Sequence, residues 1–191
     1  MTASRRIGRR RCLIPPISSC LYRRWRAERR VCDENKVLVN HAVYLRGNII
    51  TSYAHIEFLL ADICLKAWQL PEYAHFAGAF PYKTDSRIKA ARALFEGEGP
   101  LKQYREGIQP ALDELLDFEE LRHFVAHGLL IVNATLEYRL YRTTKQGTAI
   151  AFMETSASDL DGVALEIGTL LNGMLTTFRR IYFDLGFEFE D

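Results

Sequence analysis

Leu160–Ile181 reads LDGVALEIGTLLNGMLTTFRRI. Leu160, Val163, Ala164, Ile167, Leu170, Leu171, Met174, Leu175, Phe178 and Ile181 recur at intervals of one, three and four. That spacing keeps side chains on one face of a helix and would scatter them over both faces of a strand. The stretch predicts a long amphipathic helix with a core-facing stripe. Ser158 followed by Asp161 resembles a capping box with the shorter acid, and marks its start.

Working upstream, the same period governs a second long segment. Ile49, Ile56 and Ile63 repeat every seven residues, and Tyr53, Leu60 and Ala67 widen the stripe. This helix is expected from about Glu34 to Leu70, where Pro71 restricts the residue before it. Gly47 either divides the segment or weakens it. Residues 71–85 read as a connection. Asp85 or Ser86 is expected to cap a short helix carrying Ile88, Ala91, Leu94 and Phe95. After Gly97, Gly99 and Pro100, a further helix is expected from about Pro110 to His127. Leu112, Leu115, Leu116, Glu119 and His123 lie along one side of it, and Phe118, Leu121 and Val125 extend the apolar surface. Gly128 is expected to end it in a left-handed conformation.

Between these helices the period changes to two. Leu136, Tyr138 and Leu140 alternate with Glu137, Arg139 and Tyr141; Thr144–Gly147 reads as a turn, and Ala149–Met153 as a return strand. The expected fold class is all-α: an antiparallel helical bundle of four to five helices, with a β-hairpin inserted at about 129–155 before the last helix.

A chain of 191 residues, 48% hydrophobic and 26% charged, fits one domain with a tail. The net charge of +1 hides an asymmetry: residues 1–30 hold ten arginines against one acid (Glu28), and the remainder holds 15 bases against 23 acids. Residues 1–33 are therefore read as a basic, disordered extension on a domain spanning 34–191. The arginines are Arg5, Arg6, Arg9, Arg10, Arg11, Arg23, Arg24, Arg26, Arg29 and Arg30. Solvation of the tail, a transit-peptide-like composition and phosphate binding all stay open. No apolar run is read as long enough to span a bilayer, so no membrane partner is expected. Cys12, Cys20, Cys32 and Cys64 form no close pair, which favours a reducing, cytoplasmic setting over a disulfide framework.

Chemistry concentrates in Leu121-Arg122-His123-Phe124-Val125-Ala126-His127-Gly128. Arg122 can neutralise a phosphate, and His127 can carry a proton near neutral pH. Residues five apart on a regular helix point about 140° away from each other. Convergence of the two is therefore expected only if the last turn loosens at Gly128. The negative end of the helix favours a charged His127, while Arg122 opposes it.

This run resembles the signature of the HEPN superfamily: arginine, four to six residues, then histidine, at the end of a bundle helix. Here the polar residue after the arginine is His123. Of the five histidines, His41, His55, His75, His123 and His127, only His127 has an arginine four to six residues upstream. The likeness covers about residues 34–185. It implies a metal-independent endoribonuclease working as a homodimer, with two copies of the motif facing each other. It assigns proton transfer at the RNA 2′-hydroxyl or leaving oxygen to His127, phosphate neutralisation to Arg122 and an orienting role to His123. The implied products are a 2′,3′-cyclic phosphate and a 5′-hydroxyl. It further implies a toxin or phage-defence effector, with an antitoxin protein as a possible partner. Some relatives are controlled through a tyrosine two residues after the histidine; here that position is Leu129.

Other readings stand beside this one. Arg122 and His127 are also suited to binding free carbonyls at a helix end. A non-catalytic helical module binding RNA, a nucleotide or a partner protein fits the same residues. Glu119, His123 and His127 have helical metal-ligand spacing, but no HExxH pattern or further ligand accompanies them. No metal or other cofactor is expected; the chain has no phosphate loop, dinucleotide fingerprint or Gly-x-Ser-x-Gly. Glu57, at the edge of the isoleucine stripe, is placed to orient Arg122 or His127, and Glu119 is a second supporting acid. Tyr138, Tyr141 and Phe152 either pack against the helices or stack bases.

Overall fold

The computed structural model describes residues 19–188 except 79–80, 82, 134 and 145–146, with side chains from residue 35 onward apart from Thr144. The chain divides into two units, residues 1–37 and 38–191. In the first, the described part is the start of helix α1 (Ser19–Ala67). Most of the expected extension, residues 1–18, lies outside the described residues. From Ser19 onward, however, the chain is helical well before the expected start at Glu34. Ser19–Arg46 contains neither glycine nor proline and is rich in arginine, which favours helix. Like charges weaken a helix without forbidding it.

The second unit is mostly helical with a small sheet. After α1 come α2 (Thr84–Glu96), α3 (Arg105–Asp117) and α4 (Glu119–His127). Strands β1 (Leu129–Val132), β2 (Leu136–Thr144) and β3 (Gly147–Thr155) follow, and α5 (Ala157–Leu185) closes the order. One apolar core joins them. Leu45, Ile49, Tyr53, Ile56, Leu60 and Ile63 of α1 meet Ile167, Met174, Phe178 and Ile181 of α5, the side chains of both helical stripes. Ile88 and Phe95, Leu112 and Leu115, Phe124 and Val125, and Leu136 and Tyr138 complete it from the other elements.

α1 passes through Gly47 unbroken. By length and composition its Asn35–Ala67 stretch is apolar enough to cross a membrane, contrary to the expectation that no such run exists. Of that apolar window 39% is buried, the stripe just named included, as a core helix requires, while Val37, Val43, Tyr44 and Phe58 are exposed.

The expected connection at 71–85 contains a 3₁₀ helix, Pro71–Phe76. Its Tyr73 is fully buried and accepts a hydrogen bond from the Leu101 amide at 2.8 Å. α2 starts at Thr84 after Lys83, so neither Asp85 nor Ser86 is its cap. The helix expected at 110–127 is two helices. α3 begins at Arg105 and tolerates Pro110 within it, and the chain turns at Phe118, where ψ is −8°. Any residue adopts that dihedral, so the turn leaves no mark in the sequence.

The hairpin is a three-stranded antiparallel meander in the order β1-β2-β3. β1 was missed because Leu129–Val132 is a short, continuous apolar run without alternation. In β2 the alternation holds: Leu136, Tyr138 and Leu140 are buried. The capping box sits two residues earlier than expected. Ser156 Oγ accepts from the Asp159 amide at 3.0 Å, and the Asp159 carboxylate accepts from the Ser156 amide at 3.1 Å. Ser-x-x-Asp occurs at both 156/159 and 158/161, and β3 ends at Thr155, so the first copy meets the helix start.

Candidate functional site

α4 presents its polar residues on sides set by the helical turn. Phe124 and Val125 enter the core, which fixes the roll of the helix. Arg122 then points toward α1 and α2. Its Nη2 donates to Glu57 Oε1 at 3.2 Å and to Thr84 Oγ1 at 2.9 Å. The Thr84 hydroxyl in turn bonds Glu57, and the guanidinium lies 5.0 Å above the Tyr53 ring. Arg87 Nη1 approaches the other Glu57 oxygen at 4.0 Å. Arg122 Nε is buried and makes no hydrogen bond. Burial pushes the Tyr53 hydroxyl up to about 12, against the pull of Arg122. Tyr53 is a neutral platform under the guanidinium.

α4 stays helical through His127, and the Gly128 amide still donates to the Phe124 carbonyl at 2.7 Å. The loosened last turn expected there is absent. Gly128 is extended (φ −75°, ψ 146°), not left-handed. Glycine is needed for a different reason: a Cβ would lie 2.5 Å from the Phe124 carbonyl oxygen and 3.3 Å from Tyr138 Cβ. Arg46 of α1 donates to the Ala126 carbonyl at 3.1 Å, so a residue from another helix satisfies this helix-end acceptor.

Because the helix is regular, Arg122 and His127 open into different clefts. Arg122 lines one of about 430 Å³ with Leu116, Glu119, Glu120, His123 and Arg142. His127 lines another of about 490 Å³ with Leu129, Arg139, Leu140, Tyr141 and Ile150. His123 lines both. The His123 and His127 rings stand edge to face with centroids 5.1 Å apart. Burial lowers the His123 pKa below its usual value, and the charges of His127, Arg142 and Arg122 add to this; Glu119 acts in the opposite sense. His123 is accordingly a neutral imidazole at pH 7, able to accept a proton or a hydrogen bond.

The structure thus brings Arg122 together with Glu57, and His123 with His127; Glu119 stands at the Arg122 cleft. Among the described residues, no group of three His, Cys, Asp or Glu side chains is placed to hold a metal ion. Of the three hairpin aromatics, Tyr138 is buried in the core, whereas Tyr141 and Phe152 are 76% and 72% exposed. Sequence reasoning missed Thr84, Tyr53, Arg139 and Arg142. Arg142 bonds Glu120 at 2.9 Å and its guanidinium lies 4.9 Å above the Phe124 ring. Its place in the strand alternation was a usable signal; Thr84 carried none. Compared with family models, with curated proteins and with solved structures, the chain matches none.

Proposed function

We propose that this protein is a metal-independent endoribonuclease of the HEPN type, with the helices of its second unit forming the antiparallel bundle of that superfamily. The observation that carries this reading is the imidazole pair: His123 and His127, 5.1 Å apart, share one cleft with Arg139, and His123 also lines a second cleft with Arg122 and Arg142. RNA cleavage by its own 2′-hydroxyl needs a group that takes a proton and another that gives one. His123, held neutral, removes the 2′-hydroxyl proton. The freed oxygen attacks the adjacent phosphorus. The bond to the 5′-oxygen breaks, and His127 in its protonated form supplies that oxygen with a proton. The products are a 2′,3′-cyclic phosphate and a 5′-hydroxyl, and the two imidazoles return to their starting states through water. The arginines stabilise charge on the phosphate.

This changes the division of labour expected from the motif, giving His123 a proton-transfer role rather than an orienting one. A homodimer bringing two such sites together, a cytoplasmic toxin or defence role and an antitoxin partner belong to the same proposal. A second reading, a non-catalytic module that binds RNA or another partner, is favoured by one observation: Arg122 Nη2 is already bonded to Glu57 and Thr84.

The test is cleavage of single-stranded RNA by the purified full chain in EDTA, with the termini identified chemically. Cyclic phosphate ends, lost in His123→Ala and His127→Ala at unchanged melting temperature, support the ribonuclease. A strict need for a divalent ion rejects it. Binding without cleavage across varied RNA pools favours the second reading.

A further inference from the structure

β2 runs past β1. β1 pairs with β2 only over Leu136–Arg139, whereas β3 pairs with it as far as Thr144. Among the described residues, Leu140–Thr144 is thus an overhang with no strand on its β1 side, and the cleft shared by His123 and His127 opens beside it. Facing residues in an antiparallel pair share one face of the sheet. The register sets Phe152 opposite Arg139, and Ile150 opposite Tyr141. Tyr141 and Phe152 are therefore diagonal neighbours on one face, about 7–8 Å apart along the backbone.

Tyr44, Phe58 and Phe183 are exposed as well, but Tyr141 and Phe152, 76% and 72% exposed, stand side by side on one sheet face, an arrangement open to something that covers both. Their surroundings indicate what. Among the described residues, those lining the adjoining cleft include Arg139, which Glu137 holds from outside it, and both imidazoles, with no carboxylate in the lining itself, polar groups that can meet a phosphate. Spaced aromatic rings beside cationic groups form the usual platform for unpaired bases.

We propose that this sheet face binds single-stranded RNA, with Tyr141 and Phe152 each stacking a base of the strand whose phosphate lies at His123 and His127. The inference rests on the RNA reading above but not on cleavage. Arg139, whose Nε is bonded to Glu137, lines the imidazole cleft and stands opposite Phe152 in the sheet. Stacking accepts any base, so the platform adds affinity and position without fixing sequence.

The test uses the full chain and a labelled 2′-deoxy oligonucleotide, which lacks the attacking hydroxyl and stays intact, with affinity read by fluorescence anisotropy in EDTA. Tyr141→Leu and Phe152→Leu, which keep apolar bulk without the ring, should each weaken binding about tenfold, and together about a hundredfold. Tyr141→Phe and Phe152→Tyr should stay within about twofold of the parent. A duplex of the same sequence should bind less tightly than the single strand, since its bases are already stacked. Ultraviolet crosslinking with mass spectrometry should map bound oligonucleotide to Tyr141 or Phe152, a readout that needs no variant to fold.

Unchanged affinity in the double leucine variant, or crosslinks confined to other elements, overturns the proposal. So does loss of self-association in a Tyr141→Ala/Phe152→Ala variant at unchanged oligonucleotide affinity, which assigns the face to a second copy of the chain. Ring-dependent binding without RNA cleavage rejects the ribonuclease alone. Cleavage of RNA with no ring dependence rejects the platform alone.

Discussion

Arg122 Nη2 is shared between Glu57 Oε1 at 3.2 Å and Thr84 Oγ1 at 2.9 Å, so one guanidinium nitrogen ties α4 to both α1 and α2. The Arg122 and Glu57 side chains are each 22% exposed, which leaves the pair partly screened by solvent. Removing one partner still leaves a charge without its counterion. Glu57→Ala should lower the unfolding free energy by about 2 kcal/mol, and Thr84→Val by about 1 kcal/mol. Arg122→Lys should lose stability as well, because one ammonium on a flexible stem replaces a planar fork over Tyr53. Urea unfolding curves measure all three. No change in Glu57→Ala would show that the contact does not hold α4 in place.

The His123 pKa is lowered first by burial, and then by the positive charges of His127, Arg142 and Arg122. An unfolded histidine takes up its proton near pH 6.5. As pH falls from there, the unfolded chain binds a proton before folded His123 does, so stability declines until His123 itself is charged. The stabilising contribution is complete above about pH 6.5 and lost below the lowered native pKa. His127→Ala or Arg142→Met should move the His123 midpoint upward, and Glu119→Gln should move it further down. Histidine ring proton shifts followed by NMR across pH 4–8 decide this; a midpoint unmoved by all three substitutions contradicts the electrostatic account.

Both long helices were legible because their stripes are long. Ile49, Ile56 and Ile63 cannot be read as a strand, and neither can Ile167, Met174 and Phe178; the structure buries all six. Leu136, Tyr138 and Leu140 were legible through strict alternation. The site was legible only as a list of residues. Arg122 and His127 were in view, yet their placement in separate clefts depended on α4 remaining regular to its last residue. Glycine at 128 suggested a left-handed end, but its function is steric and depends on Tyr138, a neighbour from another element. Thr84 lacked any local signal, since its importance comes from meeting residues distant along the chain.

The glycines therefore separate by cause. Gly128→Ala should destabilise by about 1–3 kcal/mol, because the added methyl meets a backbone oxygen at 2.5 Å. Gly186→Ala, at φ 67° after α5, should lose about 1 kcal/mol from backbone strain. Gly47→Ala has open space around the new methyl within α1 and should gain about 0.5–1 kcal/mol. Thermal melts of the three variants test the ordering. A stable Gly128→Ala protein would mean that β2 can shift away from the end of α4.

The start of α5 offers a test of which Ser-x-x-Asp pair acts as the cap. Ser156 and Asp159 exchange hydrogen bonds with each other's amides, whereas Ser158 lies inside the first turn and is exposed. Ser156→Ala should cost about 1 kcal/mol by leaving the Asp159 amide without its acceptor. Asp159→Ala should also destabilise, through the Ser156 amide and the loss of an acid at the helix N-terminus. Because the two bonds are reciprocal, the double variant should lose less than the sum of the singles. Ser158→Ala should be neutral or slightly favourable, as alanine is the better helix former. Asp161 pairs with His41 at 3.3 Å on the surface, so Asp161→Asn should change stability by less than about 0.5 kcal/mol. A larger loss at Ser158 than at Ser156 would move the helix start downstream. It would also loosen the connection from β3, the strand that holds Phe152 in register with Arg139.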